Sequence, residues 1–286
     1  MTAKLKIREP AIKDVLDRLY YKYNRRELIK PDPLQFLYNY TNRPDMEIAG
    51  LLSAVLAYGR VEQIQNSLVK LFSIIGESPY AFVMNFGTAN RRKLRGFKHR
   101  FNSGDDISDL LMLLKKILEQ SGSIENYFLS GYSKTDKNIV PALSNFCDSL
   151  LSRYAARHGG NISSGLKYLL ASPSGGSACK RLNLYLRWMV RSDTVDAGLW
   201  KSVDKAKLVV PVDVHMGRLC RILGFHDNKT VSLKTALKIT DSFAGIEPAD
   251  PVKYDFSLSR VGIVENCTGK LSPACEICEL FSFCLK

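Results

Sequence analysis

No stretch of this chain stays apolar long enough to cross a bilayer. The longest mostly apolar segment, Ile48 to Gly59, is interrupted by Ser53 and two glycines and falls well short of the roughly 20 residues a transmembrane helix needs. It reads as a buried helix, and the sequence predicts no membrane insertion. The first residues, MTAKLKIREP, lack an apolar core before a small-residue cleavage site, so a cytoplasmic protein is expected. Strand signals are scarce: Leu208 to Val214 is apolar and β-branched, but Pro211 removes a ladder donor from its middle. No internal repeat and no low-complexity tract is evident, which sets aside solenoids, propellers and tails. Acidic residues are in deficit, 28 against 41 Lys and Arg, for a formal charge of +13. That imbalance predicts attraction to a polyanion. Nucleic acid is the first choice. Anionic membrane ranks second, because no basic amphipathic helix with an aromatic face stands out.

What is present is helical periodicity. The 286 residues are 45% hydrophobic and 24% charged, ordinary globular usage with enough chain for a real core. Ile107, Leu110, Leu111, Leu114, Ile117 and Leu118 follow the i, i+3, i+4, i+7 rule, with Asp105, Asp106 and Ser108 where capping and the helix dipole favour them. The same spacing recurs in Val61, Ile64, Leu68, Leu71, Phe72 and Ile75, and in Leu143, Phe146, Cys147, Leu150, Leu151 and Tyr154. Each set reads as a core-facing stripe, and the fold class as all-α. Breaks are expected near Thr41 to Asp45, Phe86 to Asn90, Gly131 to Asn138, Gly159 to Ser164, Ser172 to Ser177 and Ile246 to Pro251.

Four of the seven cysteines lie in the C-terminal tail as Cys267, seven residues, Cys275, two residues, Cys278, five residues, Cys284. A C-x-x-C pair presents two sulfurs from one tight turn, and two outlying thiols complete a four-thiolate set for zinc or an iron–sulfur cluster. Spacing does not separate the two metals. Cys147, Cys179 and Cys220 fall in helical segments and read as small buried hydrophobes.

Two further segments carry chemistry-bearing residues. SPSGGSACKRLNLYLRWMVR is a glycine-containing turn running into an amphipathic helix with Leu182, Tyr185, Leu186 and Met189. Such a turn lets backbone approach a ligand, and helix-opening amides favour a phosphate; its plain reading is a turn with Lys180 solvated. VVPVDVHMGRLCRILGF places Asp213 directly before an apolar-periodic helix, where its plain role is an N-cap, with His215 as a structural or phosphate-contacting residue. A third segment, RRKLRGFKHRF from Arg91 to Phe101, holds six Lys or Arg and two Phe. Its plain reading is a solvated face. Interleaved rings and cations also suit nucleic acid, rings on bases and cations on phosphates, so Arg91, Arg92 and Lys93 are candidate contacts.

The string VPVDVH after a glycine turn and K-R-L-N, followed by DPVKYDFSLSRVGIVENC and the spaced cysteines, resembles the helix-hairpin-helix DNA glycosylases, the superfamily of endonuclease III and 8-oxoguanine DNA glycosylase. The resemblance covers roughly Asp45 to Lys286 and is most specific after Gly165. Within the superfamily the chain is most similar to a bacterial domain-of-unknown-function branch. The match implies two helical lobes, 45–165 and 1–44 with 166–286, the helix-hairpin-helix lying at about 166–190. It implies a hairpin of Gly175, Gly176 and Ala178, a nucleophilic Lys180 flanked by Arg181, an acidic partner in Asp213, and DNA contact by His215. The tail cysteines look like ligands of the [4Fe-4S] cluster of the endonuclease III branch, with zinc as the alternative, whereas VPVDVH is closer to the oxidised-guanine branch. The partner implied is double-stranded DNA with a damaged base.

Departures are also present. The hairpin reads S-G-G-S-A where L-P-G-V-G is usual, and Lys180 and Asp213 are further apart than usual, with an insertion around Asp193 to Lys207 that is a candidate cover for the site. The glutamine usually found near LLSAVLAYGRVEQI for filling the hole in the duplex is missing, leaving Tyr58, Arg60 and Gln63 as substitutes. The implied chemistry is base excision: a flipped nucleotide, a carboxylate stabilising positive charge at C1′, and a lysine amine that displaces the base and forms a Schiff base. A binding module without catalysis, and a monofunctional glycosylase in which Asp213 activates water, are the competing expectations.

Overall fold

The computed structural model describes residues 9–264, 267 and 269–284. The stretch 1–8, read above for a leader, lies outside the described residues, as do Glu265 and Asn266 of the VENC string. In chain order the α-helices are α1 (Glu9–Tyr23), α2 (Arg43–Val55), α3 (Val61–Ile75), α4 (Pro79–Met84), α5 (Thr88–Leu94), α6 (Gly104–Ser121), α7 (Ile124–Leu129), α8 (Val140–Arg157), α9 (Ser164–Leu169), α10 (Lys180–Val190), α11 (Val214–Ile222), α12 (Leu233–Ile246) and α13 (Asp255–Val264). Among the described residues one sheet occurs, a hairpin of β1 (Lys98–His99) and β2 (Asn102–Ser103). The fold is therefore mostly helical, and Leu208 to Val214 is not a strand.

Local chemistry sets the helix ends. Asn42 caps α2 through the Asp45 amide, with Pro44 in the first turn, so the helix begins inside the break expected at Thr41 to Asp45. Ser103 and Asp106 form a reciprocal capping box at the start of α6, and Gly122 ends it in the left-handed conformation. The expected stripes are buried: Ile107, Leu110, Leu111, Leu114, Ile117 and Leu118 all face the core. Val61 departs from its stripe and is exposed, and Leu151 and Tyr154 of the third stripe are half-buried. Cys147, Cys179 and Cys220 are buried, as small hydrophobes should be.

The centre of the molecule is the contact of α2 with α10 and with the 3-10 segment Pro33–Asn39. A Cβ on Gly50 would stand 3.0 Å from both Leu37 Cδ1 and Met189 Cε, so glycine permits this close crossing. On the far side of α10, α13 packs on α1 and on α11. The tail docks on α1, where Glu279 pairs with Arg18 at 3.1 Å and Lys22 at 3.4 Å.

The segment 193–207, expected as a cover for the site, does something else. Asp196 pairs with Arg187 at 3.2 Å and with Arg191, which also holds Asp193 and Asp250 at 2.9 and 3.0 Å. Trp200, buried, donates its Nε1 proton to Glu47 at 2.6 Å. None of its residues borders the cavity described below. Its carboxylates and tryptophan are spent on the core, which is why it does not reach the site.

Candidate active site

A short turn joins α9 to α10. A 3-10 turn at Pro173–Gly175 ends at Gly176, which takes φ +79° and donates its amide to Pro173 O. Cys179 then caps α10 in the left-handed region, φ 47°, with its amide on Ser177 Oγ and its thiol donated to Ala171 O at 3.1 Å. A left-handed non-glycine residue is costly, and here it directly precedes Lys180. Gly175, Gly176 and Ala178 therefore do form the connection between two helices. A Cβ on Gly175 or Gly176 would meet nothing within 4 Å, while the Gly175 and Gly176 amides are already donated to Ser172 O and Pro173 O.

The start of α11 comes to the same place. Asp213 Oδ1 accepts the His215 and Met216 amides, each at 2.9 Å, the N-cap read from the sequence. Its other oxygen, Oδ2, lies 3.2 Å from Lys180 Nζ, with the two side chains 38% and 33% exposed. Burial works to raise the Asp213 pKa, but the Lys180 charge and the helix amides outweigh it and hold the carboxyl below its ordinary value. His215 is exposed, and its Nδ1 accepts from Arg218, which also donates to Cys267 O.

Lys180, Asp213 and His215 line one cavity of about 870 Å³, together with Tyr58, Tyr168 and Cys267. Its deep side holds a group that the sequence reading missed. Asp255 is buried against the Arg187 guanidinium and also borders the cavity. Burial raises the Asp255 pKa to about 6 against the opposing pull of Arg187 and Lys180. Asp32, Asp213 and Asp255 all border the cavity, and the environments of Asp213 and Asp255 push their carboxyl groups in opposite directions. The signal in the sequence was the single acid in VKYDFSL, which reads equally as a helix-opening residue.

Other expected residues lie elsewhere. Arg181 is not a free cation: its guanidinium donates to Val55 O at 2.6 Å and to Tyr168 O, and lies 4.0 Å from the Tyr168 ring centroid. Arg91 pairs with Asp105 at 3.2 Å and Asp109 at 2.9 Å, while Arg92 and Lys93 are exposed on α5. None of the three borders the cavity. Phe97 is core, whereas Phe101 is exposed. Of the candidates for filling a duplex hole, Tyr58 is half-buried and Arg60 and Gln63 are exposed.

The donor chemistry of the tail suits a cluster, four thiols on one short segment, but the sulfurs do not converge. Among the described residues no three Cys, His, Asp or Glu side chains come close enough to share a metal ion. Cys275 donates to Lys270 O at 3.9 Å and Cys284 to Leu280 O at 3.5 Å, while Cys267 and Cys278 pack against the core.

A helical fold with a lysine–carboxylate pair set in one cavity defines the class by its site. The chain belongs to the family described as "Protein of unknown function (DUF2400)", whose model matches residues 32–264. No curated protein and no solved structure matches it.

Proposed function

We propose that this protein is a DNA glycosylase with an associated AP lyase, acting in base-excision repair on an oxidised base, with 8-oxoguanine favoured by the VPVDVH string. The observation that carries the reading is the approach of Lys180 Nζ to Asp213 Oδ2, 3.2 Å, at the wall of a cavity of about 870 Å³. The two-lobed helix-hairpin-helix arrangement and nucleoid-associated, cytoplasmic location belong to the same proposal.

In this reading the glycine turn and its net-positive surroundings hold phosphates. Asp213 stays ionised and faces the positive charge that grows on the sugar as the bond to the base breaks. Lys180 passes a proton to the departing base and attacks C1′ with the freed lone pair; the C1′–N bond breaks and the base leaves with that electron pair and the proton. Nζ then gives up a proton as the C1′–O4′ bond opens and O4′ takes one, which forms the C1′=Nζ Schiff base; removal of a C2′ proton breaks the C3′–O bond, the 3′ phosphate leaves with its electron pair, and the strand is cut. Cys267, Cys275, Cys278 and Cys284 would hold a [4Fe-4S] cluster, or zinc, which supplies a staple for the tail and no step of the reaction.

One observation favours a second reading. Lys180 and Asp213 are already paired at 3.2 Å, and a monofunctional enzyme in which Asp213 activates water needs no change in that pair. Borohydride separates the two, because it traps only a Schiff base. The protein and Lys180→Ala are incubated with duplexes carrying 8-oxoguanine, a pyrimidine lesion or an abasic site. A covalent adduct lost in the variant is expected. Base release that survives Lys180→Ala and fails in Asp213→Asn would establish the second reading, and binding without release or adduct would leave a recognition module.

A further inference from the structure

At the rim of the cavity stands a ring cluster that no step above uses. The turn joining β1 to β2 has only two residues, Arg100 and Phe101, with His99 paired to Asn102 across it. Arg100 takes φ 54°, a position that hairpin turns ordinarily give to glycine. Phe101 at the tip is 55% exposed and Tyr168 beside it 37%. Their centroids lie 4.5 Å apart at 79°, and Tyr58 lies 5.3 Å from Phe101 and 4.9 Å from Tyr168.

The tip is held stiffly. His99 is buried with Nδ1 on Ser67 Oγ at 2.8 Å and Nε2 on Tyr58 O at 3.0 Å. The Tyr58 hydroxyl donates to Asn102 and to His99 O. Arg181 sits over the Tyr168 and Tyr58 rings, at 4.0 and 5.1 Å, and the Arg100 chain lies over Gly59. A large ring kept in water on a strained, rigid turn points to a ligand for that ring. Its neighbours argue for the kind of ligand. Lys98, Arg100 and Ser103 flank it, so the exposed apolar surface is confined to the Phe101 and Tyr168 rings with polar and cationic groups beside them. A lipid surface or apolar peptide needs a broader apolar face, whereas a nucleobase offers one flat face with a phosphate on either side. Tyr58, Gly59 and Tyr168 also line the cavity of Lys180 and Asp213, which fixes where that base comes from.

We propose that Phe101, backed by Tyr168 and Tyr58, is the stacking site for an unpaired nucleobase adjacent in the strand to the nucleotide held in the cavity. The proposal rests on the reading of the cavity as a nucleic-acid site. Arg100 meets the intervening phosphate, and Arg181 acts from behind as a positioning residue for the rings.

The test uses the full chain and a duplex with 2-aminopurine beside a non-cleavable abasic analogue. Stacking on Phe101 quenches the fluorescence. Phe101→Ala is expected to abolish the quench and weaken binding about ten-fold, Phe101→Trp to retain both, and neither to shift the thermal midpoint, because the ring is exposed. Borohydride trapping on an abasic duplex runs alongside. If the wild type traps the abasic site and Phe101→Ala quenches and binds like wild type, the stacking site is wrong while the proposed chemistry stands. If the wild type neither traps nor binds any duplex, both fall. Loss of anionic-vesicle binding in Phe101→Ala, with duplex quenching unchanged, overturns the proposal in favour of a membrane contact.

Discussion

Asp213 divides its two oxygens between Oδ1, which caps α11, and Oδ2, which faces Lys180 at 3.2 Å. The two duties separate by substitution. Asp213→Asn keeps an oxygen for the amides and loses the charge; both side chains are about a third exposed, so stability should change by no more than about 0.5 kcal/mol. Asp213→Ala loses the cap as well, for about 1 kcal/mol more. Both should lower single-turnover base release by on the order of a hundred-fold. Chemical denaturation and release assays on the two variants check this, and equal stability losses would show that the cap is not what Oδ1 provides.

His99 gives the hairpin a pH dependence. Burial, with Arg100 and Arg181 adding to it, holds the His99 pKa below its ordinary 6.5. A depressed folded value means stability is fully present above pH 6.5 and declines as pH falls through the lower folded pKa. Urea midpoints measured downward from neutrality should fall in the wild type more steeply than in His99→Gln.

Gly59 has φ +101°, and a Cβ there would stand 2.8 Å from Arg100 Cδ. The Arg100 side chain can swing aside, so most of the cost of Gly59→Ala is backbone, about 1–2 kcal/mol. Adding Arg100→Ala should recover only a few tenths. A double-mutant cycle in denaturant measures the coupling, and full recovery would locate the cost in the side chain instead.

Asp196 is shared by Arg187 and Arg191 in the core. Asp196→Ala strands both guanidinium groups without one of their counter-charges and should cost about 3–5 kcal/mol. An Arg191→Met, Asp196→Asn pair should cost less than the sum of its singles, which thermal or chemical unfolding reads directly.

Anaerobically prepared protein should contain about four iron and four sulfide per chain, and Cys278→Ser should lose them together with tail protection in hydrogen exchange. Zinc at one per chain without sulfide would identify the other metal.

The helices were legible because their cores repeat at helical spacing, and α6 shows it best in its stripe and its first-turn acids, although its cap is Ser103 and the Ser108 hydroxyl bonds Gly104 O inside the helix. Asp213 as a cap was legible for the same reason. Its distance from Lys180 was not, since it depends on the packing of α10 and α11, and the pairing entered only through resemblance. The β1–β2 hairpin was hidden because KHRFNS has too few residues for alternation and lacks the Asn-Gly or Gly turn that marks such loops. The burial of Arg187 and Arg191 was not legible, because it needs Asp250 and Asp255 from a distant segment as well as the nearby Asp193 and Asp196. The ring cluster of Tyr58, Phe101 and Tyr168 joins three separate parts of the chain and leaves no periodic trace.

Gly165, at the start of α9, touches the Asp106 carboxylate so closely that a Cβ would stand 2.3 Å from its Cγ. Asp106 in turn receives Ser163 Oγ at 2.7 Å and closes the α6 capping box. The helix that leads into the glycine turn is thus seated by a residue outside the cavity lining. In a random screen for inactive clones, substitutions at Gly165 should appear among the hits: the protein still folds, every reactive group is intact, and the whole hairpin is displaced by a fraction of an ångström. Misplacement on that scale is enough to silence a site whose parts are otherwise complete.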